Sequence, residues 1–237
     1  MKAKSIKYRL DLRKYYTHDK LLSLVGSKKK VLEIGCASGY LSEQLARQGC
    51  EVVGIEIDAS TAEEAKKFCN NVIYADIETL PSLPYPPAYF DVILFADVLE
   101  HLKQPLQTVK NLSKYLTKTG TLIISVPNIA NWSVRLKLLL GRFDYQDEGG
   151  ILDTNHLRFF TLKSLKIFVN EAGFTIDRID VTPGVLAFSV LQKSFGRIFW
   201  RFKFLNRLLY QISKLWKTML ALQFIIVAKK VSQGDSR

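Results

Sequence analysis

The sequence predicts an α/β fold in which a seven-stranded, mostly parallel sheet carries helices on both faces. Seven short apolar runs of strand length alternate along the chain with longer segments of helical period, and this alternation is typical of a parallel sheet. The chain has 237 residues, of which 48% are hydrophobic and 24% are charged. A chain of this size buries a large core without disulfides or a structural metal, so disordered, collagen-like and coiled-coil classes are excluded.

The first third of the chain begins with a helix and then alternates strands and helices. Residues 8–25 mix charged side chains with leucines and tyrosines and predict the leading helix. The run 28–35 is apolar and ends in glycine, which predicts a buried strand. Residues 38–49 predict a helix that has a serine near its start and a glycine just past its end. The segments 51–58 and 60–69 predict the second strand and the helix after it.

The middle of the chain continues the same alternation. Residues 71–78 predict the third strand, and a proline-rich loop follows at 80–89. Residues 90–96 are apolar and predict the fourth strand. The segment 97–116 is predicted to be helical, with a break forced by an internal proline. Residues 120–128 predict the fifth strand.

The last part of the chain is less regular. Residues 129–158 predict an irregular segment, and 161–172 predict a helix closed by a glycine. Strands are predicted at 174–182 and 223–230. A basic amphipathic helical insert, residues 188–218, is predicted between these two strands, before the last strand of the sheet.

The positive charge of the chain is concentrated near its two ends. We predict a basic helical N-terminal segment (1–27), one α/β domain that includes the insert (28–230) and a short tail (231–237). The net charge is +12, and residues 184–230 carry nine basic side chains and no acidic one, whereas the centre of the chain is acidic. A nucleic-acid enzyme more often has its positive charge around the active site. The basic flanks therefore predict docking to an anionic surface away from the chemistry.

The cysteines and the apolar runs predict a cellular location. Three cysteines, an odd number, are typical of a reducing compartment rather than of a disulfide framework. The first residues lack the apolar run of a secretory signal, and the longest apolar stretches are too short to span a bilayer. We expect a cytoplasmic protein, either free or peripheral on the inner face of the cell membrane.

The turn after the first predicted strand has the sequence E-I-G-C-A-S-G over residues 33–39. Small residues at its third, fifth and seventh positions let the backbone approach a ligand closely, at the sheet edge where ligands bind in such folds. A dinucleotide-binding loop requires G-x-G-x-x-G. That frame would put Tyr40 at the third glycine, where its side chain prevents the close contact.

The pattern E-x-G-x-(G/A)-x-G resembles the cofactor loop of the class I S-adenosylmethionine-dependent methyltransferases, with Ala37 where that family usually has glycine. Acidic residues at the ends of the second and third strands, and the run FDVILFADVLEHL, match the family's order and spacing. The resemblance covers about residues 30–128 and implies a Rossmann-like fold with S-adenosylmethionine as cofactor. The residues that it implies for cofactor binding are Glu33, Gly35, Cys36, Gly39, Glu56, Asp76, Ile77 and Ala96.

A cluster of titratable residues follows the fourth strand. On a helix, Asp97, Glu100 and His101 would share one face, and we expect them to face the acceptor together with His156. D-x-x-E-H with a distant histidine resembles the metal-assisted O-methyltransferases of ubiquinone biosynthesis and of small-RNA 3′ ends. This resemblance implies that Asp97, Glu100, His101 and His156 hold a divalent metal, namely Mg²⁺, Mn²⁺ or Zn²⁺. The alternative is that His101 or His156 acts as a general base without a metal.

Residues 127–161 resemble the acceptor region of bacterial methyltransferases that are linked to cell-surface polysaccharide and glycan synthesis. The residues that we predict to bind substrate are Asn128, Trp132, Arg135, Arg142, Tyr145 and Arg158. Arg135 and Arg142 suit a phosphate or carboxylate of the acceptor, and exposed positions in solvent are an equal alternative.

The insert carries a second apolar pattern. Over residues 195–220, apolar and aromatic side chains recur at spacings of three and four, and Lys203, Arg207, Lys214 and Lys217 fall to one side of them. Such a helix lies in an anionic membrane interface, or it packs on the sheet or on a second subunit of a homodimer. The sequence leaves these alternatives open.

The predicted function is methyl transfer from S-adenosylmethionine, first of all O-methylation of a hydroxyl on a small-molecule or lipid-linked acceptor such as a sugar, a glycan or a quinol. One alternative is RNA 2′-O-methylation, which the charge distribution does not favour. The other is a non-catalytic, membrane-associated scaffold that binds S-adenosylmethionine. The sequence does not decide between an oxygen and a nitrogen acceptor.

Overall fold

The computed structural model describes residues 10–147, 149–184 and 203–231, and a seven-stranded sheet forms its centre. The strands are β1 (Lys30–Ile34), β2 (Glu51–Glu56), β3 (Asn71–Tyr74), β4 (Phe90–Ala96), β5 (Leu116–Pro127), β6 (Phe174–Pro183) and β7 (Ala221–Lys230). Their spatial order is β3-β2-β1-β4-β5-β7-β6. The five strands from β3 to β5 are parallel, and β7 is antiparallel to both β5 and β6. The predicted seven-stranded, mostly parallel sheet is confirmed.

Helices cover both faces of this sheet. They are α1 (Thr17–Val25), α2 (Tyr40–Arg47), α3 (Ala59–Ala65), α4 (Pro105–Ser113), α5 (Trp132–Leu139), α6 (Leu162–Glu171), α7 (Lys203–Leu215) and α8 (Lys217–Leu220), with one 3₁₀ turn at Leu99–His101. Successive residues of one strand enter different core clusters: Leu32 and Ile34 belong to one, and Val31 belongs to the other. This burial on both faces explains why the strands are continuous apolar runs.

The leading helix begins later than predicted. Residues 10–16 are not helical, and α1 starts at Thr17. The backbone at Tyr15 has a φ of +74°, and its N–H donates to the Asp19 carboxylate at 2.9 Å. Because side chains satisfy these backbone groups locally, the chain turns sharply before the helix begins.

The segment predicted as one helix over 97–116 is also divided. The turn Leu99–His101 is 3₁₀, and α4 begins only at Pro105, which occupies a first-turn position where its missing N–H costs nothing. Asp97 precedes the turn with a φ of +56°. The prediction that residues 97, 100 and 101 share one helical face is therefore wrong, because Asp97 is not part of a helix.

Two further boundaries differ from expectation, and the insert is described only in part. The predicted irregular segment 129–158 contains α5, whose start is capped by the Asn131 side chain accepting from the Ser133 N–H. Strand β3 ends at Tyr74, so Asp76 lies in the turn that follows it. Of the insert 188–218, the part 188–202 lies outside the described residues, and most of the remainder is helical.

In the described ranges, no helix combines the length and the apolar character that crossing a bilayer would require. Helix α7 packs on β6, and α1 packs on β5 and β7.

Candidate active site

The loop of residues 35–39 lies at the carboxyl end of β1, where the strand order reverses between β1 and β4. Gly35 has a φ of +66°, and a Cβ atom there would lie 2.8 Å from Cγ2 of Val98. Ala37 has a φ of +46°, and its N–H donates to Oε2 of Glu56 at 2.8 Å. Only a residue without a side chain fits at position 35, and the acidic end of β2 holds the loop in place.

A cavity of about 430 Å³ opens between this loop and the ends of β2 and β3, which is within the range of small-molecule sites. The residues that line it are Ile34, Gly35, Ile55, Glu56, Ile57, Ala75, Asp76, Ile77, Glu78, Thr79, Val98, His101, Leu102, Lys103 and Gln104. The carboxylate of Glu56 also accepts from the N–H groups of Ile57 and Asp58, each at 2.9 Å. Three acidic residues line this one space, namely Glu56 at the end of β2 and Asp76 and Glu78 after β3. We call it the donor cavity.

Four of the residues predicted for the cofactor are absent from the lining of this cavity. They are Glu33, Cys36, Gly39 and Ala96. Glu33 is buried and accepts from the Ser42 hydroxyl at 2.5 Å; burial raises the pKa of this carboxyl to about 8. Gly39 is the left-handed N-cap of α2, and a Cβ there would lie 3.0 Å from Cα of Ala65. These contacts pack the two ends of the loop against α2 and α3.

A second cavity, of about 300 Å³, lies beside the first, and we call it the acceptor cavity. Its lining residues are Asp11, Arg13, Tyr16, Thr17, His18, Asp97, Glu100, His101, Pro127, Gly149, Gly150, Ile151, Asp153, His156, Leu222 and Gln223. His101 lines both cavities. Molecules bound in the two cavities would therefore both lie next to the His101 side chain.

Glu100 is the most unusual side chain at this meeting point. It is 1% exposed, and neither carboxylate oxygen has a hydrogen-bond partner. Burial, and secondarily the charge of Asp97, raises the pKa of Glu100 well above its ordinary value. A buried carboxyl without a partner is costly, so this side chain is available to a ligand.

His101 and His156 lie close to Glu100, and each uses its Nδ1 atom in a hydrogen bond to a backbone carbonyl. The Nδ1–H of His101 donates to the carbonyl of Asn155, and that of His156 to the carbonyl of Ile151, each at 3.1 Å. Because a carbonyl only accepts, each neutral ring keeps Nε2 as its free acceptor atom. The ligand atoms of Glu100, His101 and His156 lie within 4.8 Å of one another. Burial lowers the pKa of His156, which favours its neutral form.

Asp97 stands apart from this group of three. Its carboxylate accepts from Ser125 Oγ and from Gln223 Nε2, each at 2.7 Å. The hydroxyl of Thr17 in turn donates to the Gln223 side chain. Asp97 therefore joins α1, β5 and β7 at the floor of the acceptor cavity, and it is absent from the metal-ligand group found among the described residues.

The six residues predicted to bind substrate lie outside the lining of the acceptor cavity. Asn128 is fully buried and donates to the carbonyl of Ala221 at 2.9 Å, and the Trp132 indole donates to the carbonyl of Gly184 at 3.0 Å. Arg135, Arg142 and Tyr145 are exposed. Arg158 donates to backbone carbonyls of the turn after Glu100. In this structure, the contacts of the buried members stabilise the fold around the site.

The N-terminal segment and β7 supply lining residues that sequence reasoning missed. His18 is the third histidine of the chain, and its Nδ1 accepts from the Asp11 N–H at 2.8 Å. Its ring hydrogen is therefore on Nε2, opposite to the arrangement in the other two histidines. Burial lowers the pKa of His18. The rarity of histidine in this chain was the one sequence signal that pointed to this residue.

The strand order, with β7 antiparallel next to the edge strand, and the glycine-bearing loop where the order reverses define a Rossmann-like α/β fold of the class I methyltransferase type. The sequence model of the family described as a methyltransferase domain matches residues 8–179. The chain belongs to this family.

Individual relatives are more distant. The chain is 28% identical over 167 residues to the ubiquinone biosynthesis O-methyltransferase of Psychrobacter arcticus, a match covering 67% of this chain and 63% of that protein. It is 34% identical over 125 residues to the protein of the same name from Glaesserella parasuis, covering 49% and 52%. These matches therefore span about half to two thirds of the curated relatives. A solved S-adenosylmethionine-dependent methyltransferase from Archaeoglobus fulgidus is similar over 90% of both chains, with a TM-score of 0.61 and 19% identity, which shows the shared fold.

The residues present fit the cofactor that the family implies. Gly35 lines the donor cavity with backbone alone, and the cavity also holds the carboxylates of Glu56, Asp76 and Glu78, which suit a nucleoside with ribose hydroxyls. Glu100, His101 and His156 also fit a divalent metal, because both Glu100 oxygens are unpartnered and the ligand atoms of the three residues lie within 4.8 Å of one another.

Proposed function

We propose that this protein transfers a methyl group from S-adenosylmethionine to a hydroxyl oxygen of a small or lipid-linked acceptor, such as a sugar or a quinol. The observation that carries the proposal is that His101 lines both cavities and stands beside the unpartnered Glu100. The acceptor cavity is lined by carboxylates, histidines and an arginine, which can form hydrogen bonds with the hydroxyl groups of an acceptor.

The donor cavity binds and orients the donor. Asp76 and Glu56 offer acceptors to the adenosine part, and the backbone at Gly35 allows close approach. When bound, S-adenosylmethionine supplies an electrophilic methyl group with its own leaving group. The protein therefore has mainly to align donor and acceptor and to exclude water.

The acceptor hydroxyl must also lose its proton, and the residues around Glu100 can assist. We infer that Glu100, His101 and His156 would hold a divalent cation, and one carboxylate with two imidazoles favours Mn²⁺ or Zn²⁺ over Mg²⁺. A cation there would lower the pKa of the bound hydroxyl. His18, whose Nε2 carries hydrogen, can donate a hydrogen bond to a second oxygen of the acceptor.

The test is methyl transfer by the purified full chain from labelled S-adenosylmethionine to fractionated cell extract, before and after chelation. We expect label in a hydroxyl-bearing small molecule or lipid fraction, with loss of at least about tenfold on chelation and recovery on addition of Mn²⁺ or Zn²⁺. The variant His156→Gln should lose this activity. Lys118→Ala, which changes an exposed residue outside both linings, should keep it.

Other outcomes of the same experiment would contradict the proposal. Label confined to RNA would favour 2′-O-methylation. Label on nitrogen would remove the need for a cation. Donor binding without turnover on any fraction would favour a scaffold that binds the donor without catalysis.

We also propose that α7 docks the protein on an anionic membrane, which would suit a lipid-linked acceptor. The two faces of α7 differ: one packs on the sheet, and the other is exposed and suits a membrane interface. Leu209, Tyr210 and Ser213 are buried against the sheet, with the Tyr210 hydroxyl donating to Asp180 at 2.8 Å. The outward face exposes Phe204, Leu208 and Leu215, which are four and seven residues apart, with Arg207 and Lys214 along its side.

Aromatic and aliphatic side chains beside basic ones are typical of interfacial helices, and each basic side chain near an anionic leaflet adds about 1 kcal/mol. We expect co-sedimentation with phosphatidylglycerol vesicles that weakens with salt and is lost in Arg207→Glu/Lys214→Glu. The matched control is Lys163→Glu/Lys166→Glu on the exposed side of α6, with the same change of charge. Equal binding of both variants, or concentration-dependent dimerisation through α7 in place of vesicle binding, would contradict this proposal.

A further inference from the structure

Two of the three cysteines lie next to each other beneath the cofactor loop. Cys36 belongs to the loop after β1, and Cys69 follows α3. Their Sγ atoms lie 2.5 and 3.4 Å from one and the same point, the position that a Cβ atom on Gly54 of β2 would occupy. Because Gly54 has no side chain, it leaves a space in which the two sulfur atoms approach each other.

The two thiols differ in reactivity. Cys36 is buried, and Cys69 is partly exposed. The Cys36 thiol faces the carbonyl of Ala37 at 3.8 Å and can donate instead to a Cys69 thiolate. This hydrogen bonding, against the effect of burial, lowers the pKa of Cys69 to about 7. The same contact, together with burial, raises the pKa of Cys36. Cys69 is therefore the thiol that reaches its nucleophilic thiolate form near neutral pH.

We propose that Cys36 and Cys69 form a peroxide-sensitive thiol pair whose disulfide lowers the affinity of the donor cavity. The Cys69 thiolate attacks a hydroperoxide and takes one oxygen, giving a sulfenic acid and releasing water or an alcohol. The sulfur of Cys36 then attacks the Cys69 sulfur, the S–S bond forms, and a second water leaves. Two thiols are oxidised by two electrons, and the peroxide is reduced.

The loop connects this pair to the donor cavity. The N–H groups of Gly35 and Cys36 both donate to the carbonyl of Ile55, at 2.8 and 3.2 Å, and the next residue, Ala37, donates to Glu56. A disulfide requires its sulfur atoms to be about 2.05 Å apart, closer than two thiols in hydrogen-bond contact. Its formation ties the loop to the end of α3 and displaces the backbone next to Gly35 and Glu56.

This inference rests on the proposed donor site, but the cross-link can be measured independently of it. The full chain is treated with hydrogen peroxide, with and without S-adenosylhomocysteine, and analysed by intact mass and peptide mapping. We expect loss of two hydrogen atoms and a Cys36–Cys69 peptide, formed more slowly when the nucleoside is bound. Cys50→Ala should oxidise like the unchanged protein, because the Cys50 thiol faces the carbonyl of Gly26. Cys69→Ser should form no such cross-link.

Donor affinity is then measured by calorimetry on the reduced, oxidised and re-reduced protein. We expect binding of S-adenosylhomocysteine to weaken roughly fivefold or more on oxidation and to recover with a thiol reductant, since bound ligand and disulfide oppose each other reciprocally. Oxidation of Cys69 to a sulfinic acid with Cys36 still free, or unchanged affinity in the cross-linked protein, would overturn the proposal. Reduced protein that binds no S-adenosylhomocysteine would overturn the donor site itself, whatever the mass analysis shows.

Discussion

At the scale of single residues, Glu100 has a property that folding alone does not explain. Its carboxyl group is buried with both oxygens unpartnered, and such a group costs about 1–3 kcal/mol of stability. Buried polar groups are otherwise almost always hydrogen-bonded. The loss of stability at this carboxyl, which lies beside two imidazoles, is typical of a residue that binds a ligand.

Replacement of Glu100 by leucine should separate stability from activity. In a chelating buffer, we expect the free energy of unfolding of Glu100→Leu to equal or exceed that of the unchanged protein, by up to about 1–3 kcal/mol, because the unpartnered carboxyl is removed. Methyl transfer should be lost. Urea denaturation and the labelled-donor assay measure the two effects, and a marked loss of stability in the variant would mean that the carboxyl has a structural partner.

Gly35 provides a second test at the same scale. A Cβ there would lie 2.8 Å from Cγ2 of Val98, and the φ of +66° disfavours any residue with a side chain by about 1–2 kcal/mol. We expect Gly35→Ala to lower both the free energy of unfolding and the affinity for S-adenosylhomocysteine.

The control for that substitution is the double variant Gly35→Ala/Val98→Ala. It relieves the contact but not the backbone strain, so it should recover only part of the lost affinity. Full recovery, or no effect of Gly35→Ala alone, would contradict the close approach of the loop to a ligand.

The residues that could be predicted from the sequence are those whose position follows from the end of a strand. Glu56 and Asp76 share the donor cavity because the ends of neighbouring parallel strands meet at one edge. His18 and Gln223 reach the acceptor cavity from opposite ends of the chain, and no local pattern encodes such a long-range contact. The residues predicted to bind substrate rest on a resemblance, and in the structure the side chains of Asn128 and Trp132 donate to backbone carbonyls.

At the scale of elements, a buried charged network ties α1 to β6 and α7. The ammonium group of Lys20 lies 2.9 Å from the Asp180 carboxylate and 3.8 Å from the centre of the Tyr210 ring. Tyr15 stacks on the same ring. Since α1 and the residues before it line the acceptor cavity, this network positions that wall of the site.

Asp180→Asn should destabilise the protein by about 3–5 kcal/mol near neutral pH, because Lys20 would remain buried without its partner. Burial alone would raise the pKa of Asp180, but the hydrogen bonds from Lys20 and Tyr210 hold it below its ordinary value. A lowered carboxyl pKa adds stability above the unfolded value near 3.8, and this stability disappears as the pH falls through the folded pKa.

Urea midpoints measured across the acidic range test this prediction. Stability of the unchanged protein should fall as the pH drops below that unfolded value, and the fall should be shallower in Asp180→Asn. The double variant Lys20→Met/Asp180→Leu should be less destabilised than Asp180→Asn alone. Identical pH profiles would show that the pair does not hold α1 in place.

The sequence predicts the elements that have a clear hydrophobic period. It does not predict boundaries and turns whose position depends on individual side-chain hydrogen bonds. The parallel strands follow from continuous apolar runs that are buried on both faces. The late start of α1 and the left-handed Asp97 depend on side-chain contacts with Asp19, Ser125 and Gln223. Such contacts are formed by the folded structure and leave no periodic signal.

At the scale of the whole molecule, the basic α7 face and the two cavities are separate features of one domain. The lining residues of the donor cavity belong to the acidic centre of the sequence, whereas the acceptor cavity also takes residues such as His18 and Gln223 from the two basic flanks. A basic helix face apart from the donor cavity suits the proposed docking of α7 on an anionic surface.

The central claim is that the cavity between the ends of β1, β2 and β3 binds the nucleoside of the methyl donor. Titration calorimetry of S-adenosylmethionine and S-adenosylhomocysteine into the full chain tests it most directly. We expect one saturable site, with affinity at least about tenfold weaker, or about 1.4 kcal/mol, in Asp76→Ala, and unchanged in Asp177→Ala, an exposed acid on β6. No saturable binding of either compound, or equal affinity in Asp76→Ala and the unchanged protein, would contradict it.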